Sequence, residues 1–225
     1  MYVPRHFSLP EDYARALLAN PGVGNLVTVI ASGPEATMVP FYLDEEKNAL
    51  VTHLVKNNPQ VAEPPRGPGL IILDDVDAYV PPHWYATNKV KANVPTWDYI
   101  TIHVRGAVRI DPSPEAALTA ACRLTEMMET DDVLTPVGQD KLRRMARAIV
   151  AVEVSMDDVR GKAKMSQNRH PEDIRGLADE FERQGENRMA EFLRTVSLPY
   201  AEQRFSTLAR LREAKALGED MGSFH

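Results

Sequence analysis

Apolar residues recur at every second position over several short runs in the first part of the chain. Toward the end they recur at helical spacing instead. Strands are therefore expected at residues 25–31, 38–43, 49–54 and 70–73, the second with Val39, Phe41 and Leu43 on one face. Residues 79–80 should be extended, because the position before a proline avoids the helical region. Residues 99–110 carry the clearest alternation. Ile100, Ile102, Val104, Val108 and Ile110 point one way; Thr101, His103, Arg105 and Arg109 point the other. Gly106 within that run predicts a bulge or bend. Residues 150–156 alternate again and predict a final strand.

Helices punctuate this pattern. Ser8 is a candidate cap for a first short helix, with Pro10 in its first turn and Asn20-Pro21-Gly22 ending it. Ser113 followed by Pro114 starts a helix over 114–128, whose inner stripe is expected to be Ala117, Leu118, Ala121, Thr125 and Met128. Residues 139–147 form another. From 170 onward the chain reads as all helix, in segments 170–184, 186–196 and 199–218. Short strands with few crossover helices indicate an α+β fold built on an antiparallel barrel or sandwich, not a doubly wound sheet. The expected division is a barrel over 1–169 and a helical extension over 170–225, packed on the barrel or on a partner subunit.

Composition narrows the class. The chain has 225 residues, 44% hydrophobic and 26% charged, as in an ordinary globular protein. No apolar run is long enough to span a bilayer, and the first ten residues lack a basic segment followed by an apolar core. Cys122 is the single cysteine, so no internal disulfide can form. A cytoplasmic location is the expectation. The net charge of −6 argues against nucleic-acid binding through a broad basic face. A DNA-reading pair of C-terminal helices is disfavoured too, because Glu202 and Glu213 interleave with Arg204, Arg210, Arg212 and Lys215.

Candidate chemistry lies in four stretches. Nucleotide loops of the GxGxxG and GKS/T kinds, HExxH and CxxC are absent. In their place stand 53–60 (His-Leu-Val-Lys-Asn-Asn-Pro-Gln), 79–85 (Tyr-Val-Pro-Pro-His-Trp-Tyr), 93–99 (Asn-Val-Pro-Thr-Trp-Asp-Tyr) and 162–169 (Lys-Ala-Lys-Met-Ser-Gln-Asn-Arg). Trp84, Tyr85, Trp97 and Tyr99 offer flat apolar faces. Lys56, Lys164 and Arg169 offer positive charge. Thr52, Asn57, Thr96, Ser166, Gln167 and Asn168 offer hydrogen bonds.

Together with Met1-Tyr2-Val3-Pro4, these stretches resemble the PaiB-like branch of the FMN-binding split-barrel proteins, in order, from residue 1 to about 176. The resemblance implies a split barrel, and a homodimer whose two barrels hold a cofactor in the cleft between them. It also implies flavin chemistry or, as in the founding PaiB proteins, negative transcriptional regulation. Three positions depart from the family pattern. Thr52 stands for the glycine before His53. Pro81 and His83 stand for two serines before Trp84-Tyr85. Asp98 stands for the asparagine after Trp97. Loss of hydroxyl donors and gain of a histidine make haem b the expected cofactor, with FMN the alternative. In this the chain looks like the haem-dependent piperazate synthases, which close an N–N bond in side-chain N-hydroxylated L-ornithine to give L-piperazate with loss of water. That resemblance implies an axial iron ligand, His83 first and His53 second. It implies a proton donor, Lys164 or Tyr85, and a group orienting the amino acid, Asp98 or Arg105. Lys56, Asn57, Trp84, Thr96, Trp97, Ser166, Gln167, Asn168 and Arg169 complete the expected cofactor-binding set.

Overall fold

Strand alternation is realised more extensively than the hydrophobic runs alone suggest. A computed structural model describes residues 1–221, and side chains as far as 215. His225, uninformative in the sequence, lies outside the described residues. The chain runs α1 (Glu11–Ala19), β1 (Val23–Ile30), β2 (Gly33–Pro40), β3 (Tyr42–Asp44), β4 (Ala49–Val55), the single turn α2 (Pro59–Ala62) and β5 (Gly69–Val80). It continues through β6 (Thr96–Gly106), β7 (Val108–Asp111), α3 (Pro114–Met128), α4 (Gln139–Ala146), β8 (Ile149–Ser155) and β9 (Asp158–Lys164). Last come α5 (Pro171–Arg183), α6 (Asn187–Phe192) and, after a π turn, α7 (Leu198–Met221). The strands form two antiparallel sheets, ordered β2-β1-β5-β6-β9 and β3-β4-β8-β7, which with the helices make an α+β fold. Among the described residues no helix is long and apolar enough to cross a membrane.

Several elements correct the sequence reading. The runs at 70–73 and 79–80 are one strand, β5, disguised by the charged positions Asp74, Asp75 and Asp77 between them. The expected strand 38–43 divides at the fully buried Phe41 into β2 and β3, which lie in different sheets. The long run at 99–110 begins earlier, at Thr96, and also divides: β6 ends at Gly106 and β7 belongs to the other sheet. Gly106 is thus a corner. A Cβ there would lie 1.7 Å from the Ser155 carbonyl oxygen. β9 follows β8 and has no counterpart in the sequence reading, because Asp-Val-Arg-Gly-Lys-Ala-Lys lacks apolar alternation. Ser8 does not cap α1; Pro10 takes that place, and Ser8 instead bridges to Lys162. Gly218 does not end the last helix, which continues to Met221. Ser113 caps α3 as expected, its Oγ accepting from the Ala116 N–H at 3.3 Å.

The chain divides into two compact units. One comprises residues 1–3, 9–75 and 101–161; the other comprises 4–8, 76–100 and 162 onward. In the first, α3 packs on the four-stranded sheet through Ala120 and Leu124, against Tyr42, Val51 and Ala151. Its buried face is Ala117, Ala120 and Leu124. The stripe read from sequence lies to one side of this face, and Met128 is 54% exposed. In the second unit, α5 buries Ile174, Leu177 and Phe181. It packs on α6, on α7 and on the turns at 82–89.

Candidate functional site

In the first unit, the candidate chemistry gathers on β4. Its alternation turns Val51 toward α3, and His53, two residues on, shares that face. Between them Thr52 points the opposite way, fully buried, with no partner for its hydroxyl among the described residues. His53 lies in the wall of a cavity of about 590 Å³, otherwise lined mainly by Leu118, Met128, Val133, Leu134, Leu142 and Met145. The half-open side of α3 supplies part of that wall. The His53 Nδ1 is buried and has no hydrogen-bond partner among the described residues. Burial holds the imidazole below its ordinary pKa, so it is neutral at pH 7.

Lys56 and Asn57 follow β4 and are exposed. The rest of that motif has a structural use. Asn58 Oδ1 accepts from the Gln60 N–H at 2.9 Å, capping α2. The buried Gln60 amide donates to the Leu26 carbonyl at 3.1 Å and to Thr28 Oγ1 at 2.9 Å. Arg105 is exposed on β6, beside Arg160 and Asp158 in a small polar cleft.

In the second unit, the stretches at 79–99 and 162–169 form one network. Asp98 is fully buried. Its Oδ2 accepts from Ser166 Oγ at 2.7 Å, and its Oδ1 lies 3.6 Å from Lys164 Nζ. Burial raises the Asp98 pKa to about 6, with Ser166, Lys164 and Arg169 acting in the opposite direction. Lys164 Nζ also donates to Thr96 Oγ1 and to the Trp97 carbonyl. Ser166 sits at φ 59°, the left-handed region. The buried Gln167 side chain closes this turn, donating to the Ala163 carbonyl at 2.7 Å and accepting from the Met165 N–H at 2.9 Å.

Arg169 lies over the Tyr85 ring, 4.3 Å from its centroid, and donates to Asn93 Oδ1 at 3.0 Å. Tyr85 is fully buried, its hydroxyl has no hydrogen-bond partner among the described residues, and burial raises its pKa. Trp84 packs edge-on against Phe181, 5.4 Å between centroids. Trp97 is half exposed; its Nε1 donates to Asp77 Oδ1 at 2.7 Å and its ring lies 6.0 Å from Tyr79. His83 and Asn168 are exposed.

Lys164, Tyr85, Asp98, Thr96, Ser166, Gln167 and Arg169 therefore come together within one unit, whereas His53, Lys56, Asn57 and Arg105 belong to the other. Sequence reasoning did not single out Asp173. This buried carboxylate in the first turn of α5 accepts from the Thr87 N–H and from Thr87 Oγ1, each at 2.8 Å. Its place after His170-Pro171 at a helix start was the available signal. The cavity over β4 was also missed, because half of its lining comes from the weakly patterned segment 129–149.

The chain is similar to known proteins to different degrees. Bacillus subtilis "Protease synthase and sporulation protein PAI 2" is 25% identical over 192 residues, covering 81% of this chain and 89% of that protein. Among solved structures, the flavocytochrome Anf3 from Azotobacter vinelandii superposes with a TM-score of 0.55 at 11% identity, over 72% of each chain. The FAD and heme binding protein from Mycobacterium smegmatis gives 0.52 at 16% identity, over 71% of this chain and 74% of that one. At these identities the two structures share the fold. The family model described as "Putative FMN-binding domain" matches residues 1–158. With most of its length matched by that model, the chain belongs to the FMN-binding split-barrel family.

Proposed function

We propose that the protein binds FMN and acts as a PaiB-like flavin oxidoreductase, with the flavin ring in the cavity over β4. The observation that carries this reading is the unpartnered, buried Nδ1 of His53 in the wall of an apolar cavity. A volume of about 590 Å³ falls in the ordinary range for sites that enclose a small organic ligand. The lining fits a flavin ring: Leu118, Met128 and Leu142 would hold its apolar part, and His53 would offer it a hydrogen bond. Lys56 and Asn57, exposed just beyond the same strand, would hold the phosphate. Bound FMN supplies hydride and electron transfer. The chain's part is to orient the ring, exclude water from its faces and keep a neutral imidazole beside it. A homodimer, with a second barrel completing the cleft, belongs to the same proposal.

The test is reconstitution. FMN added to the purified protein should co-elute with it and show two broad absorption bands that bleach on reduction. His53→Ala should weaken FMN binding by about tenfold, the scale of one hydrogen bond lost at a buried site. Unchanged affinity would remove His53 from the site.

The same histidine favours a second reading, haem. A neutral imidazole nitrogen facing an apolar cavity suits an axial iron ligand. On that reading His53, half-buried, is a better-placed ligand than the exposed His83. The reaction would be the N–N ring closure of side-chain N-hydroxylated ornithine. An intense Soret band in protein from haem-supplemented cells, lost in His53→Ala, would select it over FMN.

A further inference from the structure

The connection from β5 to β6, within the second unit, inverts the usual placement of polar and apolar side chains. Its polar groups bond inward. Thr87 donates through its N–H and its Oγ1 to the buried Asp173 carboxylate. The Asn93 N–H donates to Asn88 Oδ1 at 2.7 Å, its amide donates to Thr87 Oγ1 at 3.2 Å, and its Oδ1 accepts from Arg169 at 3.0 Å. Those bonds close residues 87–93 into a braced loop. The apolar side chains face water instead: Val90 is 92% exposed and Val94 70%. Trp97 and its neighbour Tyr79, on the flanking strands, are half exposed. One exposed valine is ordinary, but a group of apolar side chains presented by a braced loop marks an interaction surface. Charge is one-sided here as well. Between Asp77 and Asp98 the chain carries Lys89 and Lys91 and no carboxylate. Both lysines are exposed and form no ion pair among the described residues. Residues 162–171, in the same unit, add Lys162, Lys164 and Arg169, again without a carboxylate. This positive region belongs to a chain whose net charge is −6.

We propose that this loop docks on an anionic lipid membrane. Val90 and Val94 enter the acyl boundary, Trp97 and Tyr79 lie at headgroup level, and Lys89 and Lys91 meet the acidic headgroups. Tryptophan and tyrosine favour that interface because each has an apolar ring and a polar handle. Lysines beside an anionic leaflet are attracted to it. The rest of this acidic chain is repelled by the same surface, so the charge distribution turns the positive loop toward it. An apolar insertion combined with a basic patch supplies the two signals that a peripheral anchor needs. A single-stranded nucleic acid would use the same lysines and aromatic rings, but it offers nothing to two exposed valines, whereas acyl chains do. The contact does not depend on the flavin site.

The experiment sediments the full-length protein with vesicles of phosphatidylcholine alone and of equal parts phosphatidylcholine and phosphatidylglycerol. Binding to the anionic vesicles is expected, weakened by added salt, with little to the neutral ones. Lys89→Gln/Lys91→Gln should weaken it about thirtyfold, the effect of two lysines near an acidic surface. Val90→Ser/Val94→Ser, which keeps the charge, should weaken it about tenfold. Both pairs lie at exposed positions, and an unchanged far-ultraviolet spectrum checks that each variant is folded. Tryptophan emission should shift to the blue on binding, and the shift should be lost in Trp97→Phe. No binding to anionic vesicles, or equal binding to both kinds, overturns the membrane contact. Binding that survives in the lysine variant overturns it too. Binding that falls in the lysine variant but not in the valine variant shows adsorption by charge alone and overturns the insertion. Uptake of single-stranded oligothymidine, lost in the lysine variant and without vesicle binding, assigns the patch to nucleic acid instead.

Discussion

Asp98 is a fully buried carboxyl whose pKa burial raises, and it gives a pH dependence. Its carboxyl is fully buried, with Ser166 and Lys164 as near partners. Burial raises its pKa from 3.8 to about 6, so the folded state holds the proton more tightly than the unfolded chain does. Its contribution to stability is complete below the unfolded value and is lost as pH rises through about 6. A shift of this size corresponds to about 3 kcal/mol. Asp98→Asn keeps an acceptor for Ser166 and removes the titration. Urea unfolding at a series of pH values should show the variant gaining about 2 kcal/mol on the wild type between pH 4 and pH 7. A stability difference that stays constant over this window would mean that Asp98 does not titrate there. The sequence marked Asp98 as a departure from the family's asparagine, but it could not show burial. A carboxylate beside tryptophan reads equally well as an exposed loop residue until its neighbours are known.

Element boundaries depend on similar information. Gly106 was legible as a bend because glycine interrupts an alternating run, but the consequence was not: the chain changes sheets there. The Ser155 backbone closes the corner, its N–H donating to the Ala107 carbonyl at 3.1 Å while Ser155 Oγ accepts from the Ala107 N–H at 2.8 Å. No side chain fits, because a Cβ would fall 1.7 Å from a backbone oxygen that cannot rotate away. Gly106→Ala should therefore cost about 2–3 kcal/mol, the upper range for overpacking, and lower the urea midpoint without changing the slope. A midpoint within error of the wild type would show that the corner yields. Alternation identified β1, β4, β6 and β8 because each buries a mainly apolar set of alternate positions, broken only by Thr28, Thr52 and Asp98 among the first three. It failed at β9 and in the middle of β5, where the exposed positions are charged. The candidate site divides in the same way. The Pro-anchored aromatic loops were conspicuous, yet Trp84 and Tyr85 pack within their own unit, against Phe181 and Arg169. His53 was one of two histidines proposed for iron, and the cavity beside it was hidden because its wall is assembled from α3, α4 and the turns joining them, which no single run of sequence marks.

At the scale of the whole molecule, the remaining question is what covers the outer face of the five-stranded sheet. On β1 the residues opposite the buried set are Val23, Asn25, Val27 and Val29; on β2 they are Pro34, Ala36, Met38 and Pro40. Registry aligns them in pairs: Val23 with Pro40, Asn25 with Met38, Val27 with Ala36, Val29 with Pro34. Leu70 and Ile72 of β5 extend the same face, paired with Val27 and Asn25. Asn25 is the only polar side chain in this set, and Val23, Val29 and Met38 are 48%, 50% and 70% exposed. A monomer would leave that apolar surface in water, where burying it is worth about 25 cal/mol per Å². A self-complementary face of this kind suits a two-fold dimer. Sedimentation equilibrium should then report about 50 kDa, twice the 25.1 kDa of one chain. Val29→Glu/Met38→Glu would place like charges across such an axis, and should give a single-chain mass with an unchanged far-ultraviolet spectrum. A wild type that sediments as one chain would end the dimer proposal. A double variant that stays dimeric would move the interface elsewhere, and FMN uptake by a monomeric variant would show that one barrel is enough to hold the cofactor.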